Sequence, residues 1–358
     1  FASEETINER KTHQEHHHHD EHDHDEFNSF TVELGEVKIM LVLSEEEVET
    51  LLPISECINS MEEAFKDWGQ GKAANMPRYR LPLHNGALQV LAGSSIELEV
   101  TGLKTYVTGS KTGTQMVVLL YSTKTGEPIA MLHSNKLGQI RTGAASGLAT
   151  KYLTDSRQKI VSIIGSGFQA ETQLAAIHAV RDIKHVYVYS RNKTNRENFA
   201  DKMSKKLNIE IEPVESAEMA VENSNVICTI TNSREPVFDG KYLNSGTHIN
   251  AAGSNHWARR ELDLDTIERC KVVVCDDIEN AKSECGELIW AAERRKFSWD
   301  QAFNLRDLIS SRIAPENFIH SNANTLFESQ GLGIEDVYAG MYVYEKALQA
   351  GMGKKVNF

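Results

Sequence analysis

"KIVSIIGSGFQAETQLAAI" (residues 159–177) passes from an apolar, β-branched segment through two glycines into an alanine-rich segment of helical period. The turn reads G-x-G-x-x-A across Gly165, Ser166, Gly167, Phe168, Gln169 and Ala170. Alone the pattern carries little information, but between a strand and a helix it describes a phosphate-cradling turn. Gly165 permits the tight bend, and Gly167 lets the backbone come close to a pyrophosphate. Ala170 lets the helix pack tightly, with its unpaired N–H groups and positive dipole end turned to the anion. These six residues form the expected dinucleotide-binding turn.

Working outward, the rhythm after residue 159 is strand, helix, strand, helix. "HVYVYS" and "NRENFADKMSKKL" follow, then "AEMAVENS", "NVICTIT", "THINAAG" and "KVVVCDD". Continuous apolar strands alternating with helices predict an α/β fold with a doubly wound parallel sheet of the Rossmann type. Before residue 150 the pattern differs. "TVELGEVKIMLVL" reads as a strand, and helical periodicity follows from Ser44 as N-cap through residue 72. "ALQVLAG", "TGLKTYVTG", "TQMVVLLYS" and "PIAMLHS", separated by glycine-bearing turns, then read as an antiparallel sheet. "IRTGAASGLATKYL" is a helix rich in small residues, suited to close packing, and "GIEDVYAGMYVYEKALQAG" is a final amphipathic helix.

The end of the second parallel strand bears on which dinucleotide binds. An enzyme that uses NAD(H) commonly places an acid there to accept from the adenosine ribose hydroxyls. Here the sequence is Ser190, Arg191, Asn192, Lys193. Arg191 and Lys193 can pair with a 2′-phosphate, and Ser190 and Asn192 can hydrogen-bond to it. NADP(H) is therefore favoured over NAD(H).

Composition narrows the function classes. Net charge is −13, and residues 1–26 hold nine Asp/Glu against Arg10 and Lys11, so this segment supplies −7 of it. This charge disfavours a nucleic-acid partner, since phosphate binding needs a basic face. No apolar run reaches the length of a membrane span, and the first residues show no signal-peptide h-region. The five cysteines (Cys57, Cys228, Cys270, Cys275, Cys285) are odd in number and form no C-x-x-C, which points to reduced thiols and a cytoplasmic protein. "HQEHHHHDEHDHDE" (residues 13–26) is low complexity, and residues 1–30 are expected to be a disordered tail. Histidines elsewhere have no metal-ligand spacing, so no metal site is expected.

Several stretches together resemble one family. "MPRYRLPL", "GLKTYVTG", "LGQIRTGAASGLATKYL", "IIGSGFQA", "INAAGSNHWARREL" and "FESQGLGIEDVYAG" occur in the order of the ornithine cyclodeaminase/μ-crystallin family. That family also contains archaeal-type alanine dehydrogenases and ketimine or imine reductases. The resemblance implies a second, α+β domain for substrate binding and dimerisation (residues 31–150, completed by a C-terminal helix in 325–358), a Rossmann domain over 151–324, and a homodimer. It also implies that Arg78 and Arg141 clamp a substrate carboxylate, with Arg80 competing with Arg78 in register. Lys104 matches the family's substrate-contacting lysine. The guanidinium fork suits a carboxylate and keeps its charge, and an amine among positive neighbours has a depressed pKa fit for acid–base work at nitrogen.

One position departs. The cyclodeaminases carry Asp where this chain has Asn255, and an amide cannot accept a proton from an attacking amine. His256 follows it, without motif support as a base. Lys104, Arg141 and Asn255 are thus the expected catalytic group. The expected activity is NAD(P)(H)-dependent redox chemistry at the C–N bond of a small α-amino acid or its imine. The alternatives are ornithine cyclodeaminase, with nucleotide recycled internally, and a non-catalytic NADP-dependent small-molecule binder.

Overall fold

The computed structural model describes residues 38–111, 113–155, 157–313 and 322–357. The His/acid-rich segment 1–30 lies outside the described residues, as does the first part of the strand expected from residue 31. The elements in chain order are β1 (Ile39–Leu43), α1 (Glu45–Leu51), α2 (Ile54–Gly69), β2 (Ala73–Leu83), β3 (Gly86–Ser95), β4 (Val100–Val107), β5 (Met116–Ser122), β6 (Pro128–His133) and α3 (Asn135–Leu153). They continue as β7 (Ile160–Ile164), α4 (Ala170–Val180), β8 (His185–Tyr189), α5 (Lys193–Leu207), β9 (Ile211–Pro213), α6 (Ala217–Glu222), β10 (Val226–Thr229) and β11 (His248–Ala251). The remainder is α7 (Leu264–Arg269), β12 (Cys270–Cys275), α8 (Ile278–Glu284), α9 (Gly286–Glu293), β13 (Ala302–Asn304), α10 (Leu305–Ile309), β14 (Asn324–Glu328), α11 (Gly333–Ala350) and β15 (Lys354–Asn357).

Ser44 opens α1 with a reciprocal capping box to Glu47. The helical stretch that follows is two helices, because Pro53 cannot donate to the preceding turn and starts α2 instead. Strands β1 to β6 and β15 form a sheet in the order β15-β1-β6-β5-β4-β3-β2, antiparallel at every pairing except β1 with β6. "MPRYRLPL" lies in β2, a strand that hydrophobic patterning alone does not reveal. The two-residue alternation of β2 breaks between Met76 and Tyr79, where a bulge sits around Pro77 and Arg78.

The second sheet is parallel throughout, in the order β13-β12-β14-β11-β10-β7-β8-β9. Helices cover both faces, which is why its strands are apolar without alternation. Val161, Ile163, Val226 and Cys228 pack with Leu174 and Ile177 of α4 and Phe199 and Met203 of α5. Ile164, Ile227 and Ile249 pack on the other side with Ala220, Ile267 and Leu288. β14 was not anticipated, and it belongs to this sheet, so the chain leaves the parallel sheet after Glu328 rather than at residue 324.

The two sheets share a helical layer. Met61 and Phe65 of α2, Leu148 of α3 and Val337 of α11 pack against Val118, Leu120 and Leu132 of the first sheet and against Val274 and Phe327 of the second, in one continuous core. α3 is fixed at both ends. The Glu45 carboxylate accepts from the N–H groups of Asn135 (2.8 Å) and Lys136 (2.7 Å). Arg181 donates to the carbonyls of Thr150, Lys151 and Thr154 at the other end. No helix among the described residues is long and apolar enough to cross a membrane.

Candidate functional site

In the parallel sheet, β7 leads to β8 and β9 on one side, and the chain then returns to β10 and β11 on the other. The crevice beyond the ends of β7 and β10 is thus the switch point at which such sheets bind ligands. The 165–170 turn is located there. Gly165 has φ +119°, and a Cβ would come within 2.4 Å of the Ile230 carbonyl, so this position requires glycine. A Cβ on Gly167 would meet nothing within 4 Å, which leaves that backbone open to the cavity and able to receive a phosphate. Ala170 is buried at the start of α4 and serves packing.

One cavity of about 1300 Å³ runs from this turn to the first sheet. Its wall brings together Arg78, Lys104, Arg141 and Asn255 with Gly165, Ser166, Gly167, Phe168, Gln169, Ser190, Arg191 and Asn192. Two of the expected residues are not on this wall. Ala170 lies beneath it, and Lys193 points to Glu197 at 3.8 Å. Ser190 exchanges a hydroxyl contact of 2.8 Å with Ser166, and Asn192 uses its side-chain oxygen to cap α5. Arg191 is exposed beside them.

At the other end of the cavity the three cations converge from different elements. Arg78 is on β2, and its side chain is almost fully buried. Its Nε meets Glu284 (3.2 Å), Nη1 donates to the Tyr106 hydroxyl (2.9 Å), and Nη2 donates to the carbonyls of Gln330 (2.6 Å) and Gly331 (3.1 Å). Arg80 competes for register on sequence grounds, but it does not line the cavity. It pairs with Glu284 and donates to the Asn255 carbonyl (2.8 Å). Lys104, on β4, donates to Asp336 Oδ1 (2.7 Å). The same oxygen accepts from Arg141 Nε (2.9 Å), while Arg141 Nη1 reaches Glu335 Oε2 (2.7 Å).

Burial pushes the Lys104 amine down, and the nearby Arg141 charge adds to this. Asp336 opposes both, and the amine settles at about 8. Burial disfavours the Arg141 charge, but Asp336 and Glu335 outweigh it and hold the guanidinium above its ordinary range. Burial raises Asp336, yet Arg141 and Lys104 bring it below the usual carboxylate range. Lys104 and Arg141 thus stay charged near neutrality and keep donors to spare. Lys104 retains two N–H bonds, and Arg141 Nη2 has no partner among the described residues. Such a set fits a carboxylate with a basic nitrogen next to it. No group of acids, histidines and cysteines among the described residues could hold a metal ion.

Glu284, Glu335, Asp336 and Tyr106 complete the site and were not foreseen. Glu335 and Asp336 carry no distinctive signal, because acids in the first turn of a helix are the ordinary dipole and capping pattern, and only the fold buries and pairs these two.

The chain is similar over most of its length to known proteins. A Δ1-pyrroline-2-carboxylate reductase of Bacillus cereus is 34% identical over 89% of this chain and all of its own length. The structure of Thermococcus litoralis Δ1-pyrroline-2-carboxylate reductase in complex with NADH and L-proline superposes with a TM-score of 0.84 at 37% identity, covering 88% of this chain and all of that one. An archaeal alanine dehydrogenase dimer with bound NAD gives 0.83 at 31% identity over 90% of this chain and all of that one. Residues 38–351 match a single family throughout, and the chain belongs to the ornithine cyclodeaminase/mu-crystallin family.

Proposed function

We propose that the protein is an NAD(P)(H)-dependent oxidoreductase that interconverts a small α-imino acid and its amino acid, with a cyclic imine-2-carboxylate as the foremost substrate. The observation that carries this reading is the convergence of Arg78, Lys104 and Arg141 on one cavity wall facing the Gly165–Gln169 turn. The open backbone at Gly167 and the switch-point position suit the pyrophosphate of a nicotinamide dinucleotide. When bound, that cofactor supplies or accepts hydride at the substrate carbon bearing nitrogen.

The chain's own residues position and protonate. Arg141 Nη2 and the remaining Nη1 hydrogen of Arg78 hold the carboxylate, which fixes the adjacent carbon. Lys104, an ammonium at neutral pH, donates a proton to the imine nitrogen and takes it back in the reverse direction. Asn255 offers an amide for hydrogen bonding. Its lack of a carboxylate supports redox chemistry over cyclodeamination, which needs a base for the attacking amine. NADH and NAD in the two solved relatives support a nicotinamide dinucleotide. The preference for NADP(H) rests on Arg191 at the cavity edge. A homodimer, through the helix-free face of the first sheet, completes the reading, and the free, buried cysteines suit the cytoplasm.

The test is consumption of NADPH and NADH with Δ1-pyrroline-2-carboxylate, beside pyruvate plus ammonia, with ammonia release from ornithine as control. Steady consumption is expected, with the NADPH preference lost in Arg191→Ala. Ammonia released from ornithine with no net nucleotide consumption in any pairing would overturn the reading in favour of a cyclodeaminase.

A further inference from the structure

Helix α3 contains three glycines, Gly138, Gly143 and Gly147. Glycine inside a helix is unfavourable relative to alanine, so each calls for a reason. Two have the same reason. A Cβ on Gly143 would lie 2.4 Å from the Thr172 carbonyl, and one on Gly147 would lie 2.9 Å from the Ala176 Cβ, so both permit α3 and α4 to touch.

Gly138 is different. Outside its own helix, a Cβ there would meet only Lys104 Nζ and Met116 Sδ, each at 3.9 Å. The residue lines the cavity, as do Lys104 and Met116. No backbone approach demands glycine here, and what glycine leaves is free volume next to the amine that addresses the substrate nitrogen.

We propose that Gly138 sets substrate size, its missing side chain making room for the ring methylenes of a cyclic imino acid. This rests on the oxidoreductase reading above. In a cyclic imine the nitrogen carries a ring carbon beside the lone pair that Lys104 addresses, so the ring takes up volume next to that amine, where Gly138 leaves space. In the acyclic imine of pyruvate that place holds only hydrogen. The polarizable thioether of Met116 gives the space an apolar wall that adapts to a ring. A methyl at residue 138 enters this space with neither clamp arginine within 4 Å.

The experiment compares wild type with Gly138→Ala and Gly138→Val. One methyl's worth of lost space in an apolar pocket discriminates by about tenfold or more. Gly138→Ala is therefore expected to lower kcat/KM for Δ1-pyrroline-2-carboxylate about tenfold, with Val lowering it further, and to lower that for pyruvate plus ammonia by a clearly smaller factor. Binding is read independently by calorimetry with nucleotide present: L-proline weakens in the variants more than L-alanine does. Equal losses for both compounds, or no loss for either, overturn the assignment. A wild type that turns over neither substrate overturns the oxidoreductase reading instead, and the proline-to-alanine binding ratio then still decides the role of Gly138.

Discussion

Lys104 can act near neutral pH because its surroundings oppose one another. Burial and Arg141 depress its amine, and Asp336 restrains the fall at about 8. The sign of the pH dependence follows. Imine reduction needs the protonated amine, so kcat/KM is level below this value and falls about tenfold per unit above it. Oxidation of the amino acid needs the neutral amine and rises through the same range. Lys104→Arg, which keeps its charge, is expected to leave a slow enzyme without the alkaline limb, as pH–rate profiles of both forms would show. An unchanged limb in that variant removes Lys104 from the proton transfer. Arg78, Lys104 and Arg141 were singled out through short motifs that resemble one family, and the fold brings all three to one cavity wall. Their counter-charges were not singled out. Asp336 is 232 residues from Lys104, and Glu284 is 206 from Arg78, so only the fold brings them together.

At the scale of elements, α3 connects the two halves of the site. It carries Arg141 on one side and presses Gly143 and Gly147 against α4, the helix that follows the nucleotide turn. Gln139 also donates from α3 to the Phe168 carbonyl in that turn. Gly143→Ala is expected to destabilise the protein by about 1–3 kcal/mol despite the better helix former, because the added methyl has backbone on its far side. A fall in the urea midpoint, with m unchanged, checks this; an unaltered midpoint would mean that α3 and α4 can separate freely. The small-residue run announced close packing. The ends of α3 were not readable, since Ser134 makes no side-chain cap and Glu45 and Arg181 do this work from elsewhere. The short strands β9, β13 and β15 escaped for a related reason: three or four residues are too few to show a period, and only pairing defines them.

For the whole molecule, the first sheet has helices on one face and an apolar, partly exposed row on the other. Met76, Ala92, Leu103, Leu119 and Met131 stand in register across five strands, and Tyr79 and Leu81 are exposed beside them. A row of this kind is the surface through which a second copy is expected to pair. Leu103→Asp places a charge at its centre and should convert a dimer to a monomer in light scattering, whereas a mass unaffected by the change would put the interface elsewhere. The parallel sheet was legible as a class because its strands and helices alternate along the chain, but the insertion of β14 between β11 and β12 was not. That late strand has a consequence for synthesis. The chain returns through β14 to deliver Glu335 and Asp336, and β15 closes the edge of β1, only after the 320s to 350s have been made. Until then Lys104 and Arg141 have no anion to meet, and α2 and α3 lack the part of their apolar cover that Val337 and its neighbours on α11 supply. A polypeptide cut short before Gly333 is therefore material for proteases and chaperones rather than a weaker enzyme, and catalysis by this protein reports that synthesis passed Asp336.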